Sequence, residues 1–103
     1  MFIEKVDDQL YQLKRDEETI GGFHLVPVDD SARRIEKLEV SEGIVAAQVL
    51  AVFELIQKYA EEQGISALYV ESHSDSLDFL LQHQRFECHD VENRVWIYRV
   101  VHT

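Results

Sequence analysis

A long apolar helix followed directly by a buried strand constrains the fold of this 103-residue chain more than any other feature. Ser41 can cap a helix predicted over residues 42–63, and Gly64 suits the left-handed position just past its end. Residues 44–55 are apolar nearly all round, which predicts that this half of the helix is packed between other layers. Residues 65–70 follow as a compact buried strand. The centre of the chain therefore requires a sheet for the helix to pack against.

Shorter elements flank this centre. Gly21 and Gly22 mark a bulge or a close backbone approach within one of the early strands, and residues 74–84 fit a short helix whose leucines recur at helical spacing. Strands are predicted at residues 2–6, 10–14, 19–28, 32–40, 65–70, 86–89 and 94–101. This order, antiparallel N-terminal strands, long helix, strand, short helix and two C-terminal strands, predicts an α+β fold with a mixed sheet and a single domain over residues 1–103.

Composition limits the partners of this fold. The net charge is −10, from 20 acidic and 10 basic residues, so neither nucleic acid nor an anionic membrane surface is expected to bind. The same field favours a small amine or a basic peptide, although acidity also serves solubility. The single cysteine excludes an internal disulfide and predicts a reducing, cytoplasmic setting. The apolar run near residues 44–56 is too short to span a bilayer.

Three phrases in the right order resemble the GNAT (GCN5-related N-acetyltransferase) superfamily over about residues 10–100. DEETIGGFHLVPVDD is similar to the second hairpin of that family, with its Gly-Phe pair at Gly22 and Phe23. RRIEKLEV resembles the strand that splays from its neighbour and receives the acetyl group of acetyl-CoA. VLAVFELIQKYAEEQGISALYV is similar to the next helix, turn and strand, with Ala60 four residues before Gly64. The resemblance implies a GNAT-like fold, acetyl-CoA as cofactor and acetyl transfer to an amine.

The functional motifs of the family are altered in this chain. Its pyrophosphate loop, Gln/Arg-x-x-Gly-x-Gly/Ala, falls on residues 44–49, where Ile44, Ala47 and Val49 stand at the three motif positions and the chain has no Lys or Arg between Lys37 and Lys58. In the family's last helix, Ser74, Leu77 and Leu81 stand at the Asn, Ala and Tyr positions. Leucine cannot protonate a departing thiolate as tyrosine does. The resemblance implies a cofactor-binding set of Leu38, Val40, Val45, Ala46, Ala47, Val49, Ser74, Leu77 and Leu81.

Two carboxylates in one strand are the candidates for a catalytic base. Glu36 and Glu39 are expected on opposite faces of the strand, so that at most one faces the cofactor cleft. The alternative is that both are solvated charges paired with Arg34 or Lys37. Helices between the first two strands normally shape the acceptor site in this family, and this chain has only a turn there. The acceptor site is therefore predicted to be open or to be completed by a second subunit of a homodimer.

A metal site is not expected among the histidines and the cysteine of residues 72–90. His73, His83, Cys88 and His89 show none of the usual paired ligand spacings, and adjacent strand residues point to opposite faces. Cys88 is predicted to be a small buried cysteine rather than a nucleophile. Two functions remain open: an acetyl-CoA-dependent N-acyltransferase acting on an amine, and a catalytically inactive GNAT-fold protein that acts as a binding or regulatory module.

Overall fold

The computed structural model of the chain describes residues 1–41 and 46–100. Its strands are β1 (Phe2–Lys5), β2 (Leu10–Arg15), β3 (Glu18–Pro27), β4 (Ala32–Val40), β5 (Ala67–Glu71), β6 (Glu87–Asp90) and β7 (Val95–Arg99), and its helices are α1 (Ala46–Glu62) and α2 (Asp75–His83). Every element lies close to its predicted position. The predicted first turn of the long helix, residues 42–45, lies outside the described residues.

The strands form one seven-stranded sheet in the order β1-β2-β3-β4-β5-β7-β6. Strands β4 and β5 are parallel, and every other neighbouring pair is antiparallel. Because parallel strands need a crossover connection, α1 joins β4 to β5, as a βαβ unit requires. The predicted α+β fold with a mixed sheet is confirmed.

Helix α1 buries a single stripe against the sheet. Val52, Phe53, Ile56 and Ala60 recur at helical spacing and are at most 1% exposed, while Glu54 on the other side is exposed. The prediction that this helix is packed between two layers is wrong, because the sheet covers only one side of it and its apolar residues at other angles stay half-buried. A left-handed Gly64 (φ 73°) follows the helix, as predicted.

The opposite face of the sheet carries no helix within the described ranges. Its apolar cluster consists of strand residues alone, Ala32, Ala67 and Ile97 with Tyr69 packed against them. We call this side the open face. The connection between β1 and β2 is a tight turn in which the Asp7 carboxylate accepts hydrogen bonds from the backbone N–H groups of Gln9 and Leu10 (2.9 and 2.8 Å). Neither described helix is both long and apolar enough to cross a membrane.

Candidate functional site: a cleft between two diverging parallel strands

The parallel strands β4 and β5 pair over only part of their length. Their register runs from Ala32 opposite Ala67 to Ile35 opposite Val70, and then β4 continues alongside β3 alone, with Glu39 opposite Gly22. Beyond Ile35, no strand of the described chain pairs with β4 on the side of β5. The backbone N–H and C=O groups on that side of the strand therefore face a gap.

A β-bulge causes this divergence. Between the pairs His24–Glu36 and Gly22–Glu39, β3 advances by two residues while β4 advances by three. The extra residue is accommodated at Lys37, whose φ of 52° lies in the left-handed region. A bulge bends its strand and increases the local twist, so the second half of β4 turns away from β5.

Gly21 allows this second half of β4 to lie very close to β3. A Cβ atom at Gly21 would collide with the backbone carbonyl oxygen of Glu39 and would lie 3.2 Å from the Cα of Val40. The predicted close backbone approach at the glycine pair is confirmed. The bulge and the glycine act together, because one bends β4 away from β5 and the other makes room for it beside β3.

The gap between the two strands is a cleft of about 430 Å³, which we call the β4–β5 cleft. One part of its wall is apolar and comes from both strands and both helices: Ile35, Leu38, Val40, Val49, Val70 and Leu77. The other part is polar or charged: Arg34, Glu36, Lys37, Glu71 and His73. A site of this kind suits a ligand with an extended apolar or amide-bearing portion and a reactive end among charged groups.

An ion-pair network crosses the β4–β5 cleft where the strands begin to diverge. The Arg34 Nη2 atom lies 2.6 Å from Glu71 Oε2, and Arg34 Nε lies 3.9 Å from Glu36 Oε1. All three side chains are more than a third exposed, so these pairs add little to stability. Their effect is on placement, because one guanidinium holds two carboxylates at the same end of the cleft. The ion pair of Glu36 with Arg34 is the one that the alternative interpretation expected.

The bulge changes the prediction made for the two strand glutamates. Glu36 and Glu39 are opposite His24 and Gly22, and those two β3 residues share a face because they are two positions apart. Side chains of directly opposed residues lie on the same face of a sheet, so the prediction of opposite faces is wrong. Glu36 lines the β4–β5 cleft. Glu39 is exposed beside the glycine pair, in a separate hollow.

The proposed cofactor-binding residues fall into four groups. Leu38, Val40, Val49 and Leu77 all line the β4–β5 cleft. Ala47 and Ser74 are exposed close to the starts of α1 and α2, outside the set of residues that line it. Leu81 is 0% exposed and lies within the hydrophobic core, so its side chain does not reach the cleft. Val45 lies outside the described residues, and Ala46 is the first residue given for α1.

Hydrogen bonds at the start of α2 fix the loop beside the cleft. The Ser74 hydroxyl oxygen accepts from the backbone N–H of Leu77 at 3.1 Å and so caps the helix. One turn later, the Asp78 carboxylate accepts from Arg94 and from the indole N–H of Trp96 at 3.1 Å. Hydrogen bonds from Ser72 and then Arg94 lower the pKa of Asp78 below its ordinary value. The network joins α2 to β7 and to the end of β5.

The histidines and the cysteine do not gather. Among the described residues, no three or more His, Cys, Asp or Glu side chains are placed to hold a metal ion. Cys88 is exposed, so the prediction of a buried cysteine is wrong. The reason is its position in β6, the last strand of the sheet, which has three exposed residues out of four. His89 lies on the open face, with its ring 5.4 Å from that of Tyr69.

Glu71 and His73 were not predicted as site residues, and a positional signal marks both. They stand at or just after the carboxyl end of β5, next to the parallel strand β4. Ligands of open sheets bind at the carboxyl ends of parallel strands, in the crevice beside them. Arg34 and Lys37 were predicted only as partners of the strand glutamates, and both also line the β4–β5 cleft.

No family model matches the sequence, and no curated protein sequence matches it. Solved structures do. The chain is similar to GCN5 from Tetrahymena (TM-score 0.71, 11% identity, 92% of this chain and 71% of that one). It is also similar to the ribosomal-protein-S18-alanine N-acetyltransferase of Escherichia coli (TM-score 0.71, 11% identity, 91% and 70%).

A third similar structure is N-acetylglutamate synthase from Neisseria gonorrhoeae, solved with coenzyme A and N-acetyl-glutamate (TM-score 0.68, 16% identity, 90% of this chain and 26% of that one). At these identities the likeness is one of fold. The chain has the GNAT (GCN5-related N-acetyltransferase) fold, as the resemblance of its sequence implied.

Proposed function

We propose that this protein is an acetyl-CoA-dependent N-acyltransferase that acts on an amine. The observation that carries the proposal is the β4–β5 cleft, about 430 Å³ in volume, which combines an unpaired strand edge, apolar walls and a charged end. In the family that the sequence resembles, such a gap lies beside the strand that receives the acetyl group, which supports the proposal.

The residues of the cleft fit the arm of an acyl-coenzyme A. That arm is an extended chain with amide groups, and an unpaired strand edge offers it backbone donors and acceptors in an extended row. Leu38 and Val40 present that edge, and Val49 and Leu77 supply apolar contact from the two helices. When bound, the cofactor supplies the acyl group as a thioester.

The phosphate end of the cofactor is assigned to the start of α1. Ala46 and Ala47 are the first residues described for that helix, and Val45 precedes them in the sequence. The N-terminus of a helix favours anions because its first N–H groups are unpaired. No acidic residue lies in the first turn described for α1. Ser74 is assigned to the same cofactor from the start of α2. Leu81 is left out of the proposed set because it is buried in the core.

Glu36 is the proposed base that accepts the proton of the amine. It lines the β4–β5 cleft beside Glu71, and both are paired to one arginine rather than to two. The net charge of −10 favours a positively charged acceptor at this end of the cleft. Glu39 is a weaker candidate because it lies in a separate hollow.

The acceptor is proposed to be a small amine or a basic peptide that approaches over the open face. Only the tight turn of residues 6–9 joins β1 to β2, so the described chain places no helix over this side of the cleft. A broad acceptor such as a peptide can therefore reach Glu36. A second copy of the chain in a homodimer is the alternative way to enclose the acceptor.

Two measurements test this function. Thermal shift with acetyl-CoA and with coenzyme A measures binding, and thiol release in the presence of spermidine or a lysine-rich peptide measures turnover. Ala47→Glu should weaken binding by placing a negative charge where the phosphates are assigned, whereas the control Gln63→Glu adds the same charge at the exposed far end of α1. Wild-type protein that binds neither ligand at millimolar concentration contradicts the proposal.

A catalytically inactive binding or regulatory module is the alternative function. It is favoured by Leu81, which stands where the resemblance places the tyrosine acid and is fully buried. Only the acyltransferase requires that acetyl-CoA bind and that thiol release depend on an amine, so a protein that binds no acetyl-CoA leaves the alternative in place. Binding without any acyl transfer to either amine probe would support the alternative.

A further inference from the structure

His73 occupies a fixed place at the end of β5, between the two diverging strands and α2, and it lines the β4–β5 cleft. Its backbone is held on both sides. The preceding Ser72 is 3% exposed, and its backbone N–H donates to the carbonyl oxygen of Arg94 at 2.9 Å. The following Ser74 caps α2. Groups that must act on a ligand need such support from their neighbours.

The imidazole of His73 has no structural partner among the described residues. Within residues 1–41 and 46–100, its side chain makes no hydrogen bond, ion pair or ring contact, although it stands among charged groups. Arg34, Glu36 and Glu71 in the same wall are tied to one another by ion pairs. The histidine is therefore exposed to whatever occupies the cleft and is free to bond to it.

Acyl transfer from a thioester requires a proton at the sulfur atom, and α2 offers none. Leu81 stands at the position of the tyrosine acid, and its alkyl side chain is turned into the core. We propose that His73 supplies this proton and is the general acid of the reaction. The inference rests on the proposed function and assigns one step of it to His73, which follows β5, whereas the proposed base Glu36 lies in β4.

The step balances as follows. The neutral amine nitrogen attacks the thioester carbonyl carbon, the new N–C bond forms, and the C–S bond breaks with its electron pair on sulfur. The imidazolium N–H of His73 gives its proton to that sulfur, which leaves as a thiol. The surplus proton of the acylated nitrogen passes to the Glu36 carboxylate. His73 then regains a proton from solvent.

Histidine suits this role because it is the side chain that gains and loses a proton near neutral pH. Lysine and arginine hold their protons there, and the carboxylates are acceptors. Within the described residues, α1 contributes only Val49 to the cleft wall. The charged groups around His73 are Arg34, Glu36 and Lys37 from β4, Glu71 from β5 and the neighbouring Asp75 from α2.

The test compares His73→Gln with the matched control His83→Gln, at an exposed position of α2 outside the cleft. A general acid contributes about 10²–10⁴-fold to rate, so kcat for spermidine acetylation should fall by about 10²-fold or more in His73→Gln while KM for acetyl-CoA changes little. His83→Gln should match wild type.

Two results separate this inference from the proposed function. If wild type acetylates spermidine and His73→Gln has the same kcat, the role of His73 is overturned and the proposed function stands. If wild type binds no acetyl-CoA, both are overturned.

A readout independent of turnover is the imidazole signal of His73 in a proton NMR titration with coenzyme A. We expect this signal to move on binding while that of His83 stays in place. An unchanged His73 signal in protein saturated with coenzyme A would also overturn the inference.

Discussion

Replacing Gly21 with alanine should both destabilise the protein and weaken acetyl-CoA binding. The added Cβ would collide with the carbonyl oxygen of Glu39 and lie 3.2 Å from the Cα and the Cγ1 of Val40. The colliding atom belongs to the backbone, so a side-chain rotation cannot relieve the clash. The second half of β4 must move away from β3, and the space available to it is the β4–β5 cleft.

The size of the effect follows from the cost of forcing extra atoms into a packed site. Overpacking costs typically 1–3 kcal/mol, and the loss of flexibility in the unfolded chain returns about 0.4–1 kcal/mol of this for a glycine-to-alanine change. Each kcal/mol lowers Tm by roughly 4–8 °C in a domain of this length. We therefore expect Tm to fall by several degrees, together with a weaker Kd for acetyl-CoA.

Gly22→Ala is the matched control for this prediction. Its Cβ would lie 3.1 Å from the carbonyl oxygen of Tyr11 in β2, so that oxygen must move by a few tenths of an ångström. This movement is on the side of β3 away from the cleft. Differential scanning calorimetry and isothermal titration with acetyl-CoA measure the two effects. The reasoning is refuted if Gly21→Ala is as stable as wild type, or if it loses stability while the Kd for acetyl-CoA stays unchanged.

Three other substitutions test separate parts of the structure. Val49→Phe should fill part of the β4–β5 cleft and weaken acetyl-CoA binding by about tenfold or more, which is about 1.4 kcal/mol. The control Val91→Phe changes a side chain that is 81% exposed and should leave binding unchanged. Equal Kd values for acetyl-CoA in the two variants would contradict the location of the site. Burial and then the hydrogen bond between Tyr11 and Tyr59 raise the pKa of Tyr11. The folded state therefore favours the neutral phenol, and stability should fall as pH rises above about 10, the ordinary value for tyrosine. Tyr11→Phe should reduce this alkaline loss of stability, measured by urea unfolding at several pH values. If the free energy of unfolding depends on alkaline pH as strongly as in wild type, Tyr11 is not the source of the loss. The pKa of Asp78 is lowered, so its contribution is present above the ordinary carboxyl value of 3.8 and is lost as pH falls from there through the lower folded value. Asp78→Asn should lower Tm at neutral pH and make stability depend less on pH in acid. If the acid dependence of stability is the same as in wild type, the hydrogen bonds of Asp78 are not its source.

The sequence predicts the elements of this fold well because each one has its own hydrophobic periodicity and its own turn or capping residues. Gly64 ends α1 in the left-handed conformation, and the Gly21-Gly22 pair lies where β3 and β4 approach closely. The face of the sheet on which a given strand residue lies is harder to predict. The left-handed Lys37 adds a residue to β4 without any glycine or proline to mark it, and this moved Glu39 to the same face as Glu36.

Burial across layers is also hard to read from a single segment. The apolar first half of α1 indicates two packed sides, but among the described elements the sheet covers only one of them. Cys88 was predicted to be buried from its residue type, whereas its exposure depends on β6 being at the edge of the sheet. Both errors concern the order of strands and layers, which local patterns do not contain.

Amide chemical-shift mapping of acetyl-CoA on the ¹⁵N-labelled protein tests the central claim most directly, because it reports where the ligand binds as well as whether it binds. We predict that the largest shifts fall on Leu38 and Val40 of β4 and on Glu71 and His73 at the end of β5, and that the control Gln63 does not move. Shifts confined to other surfaces, or none at millimolar acetyl-CoA, would contradict a cofactor site in the β4–β5 cleft.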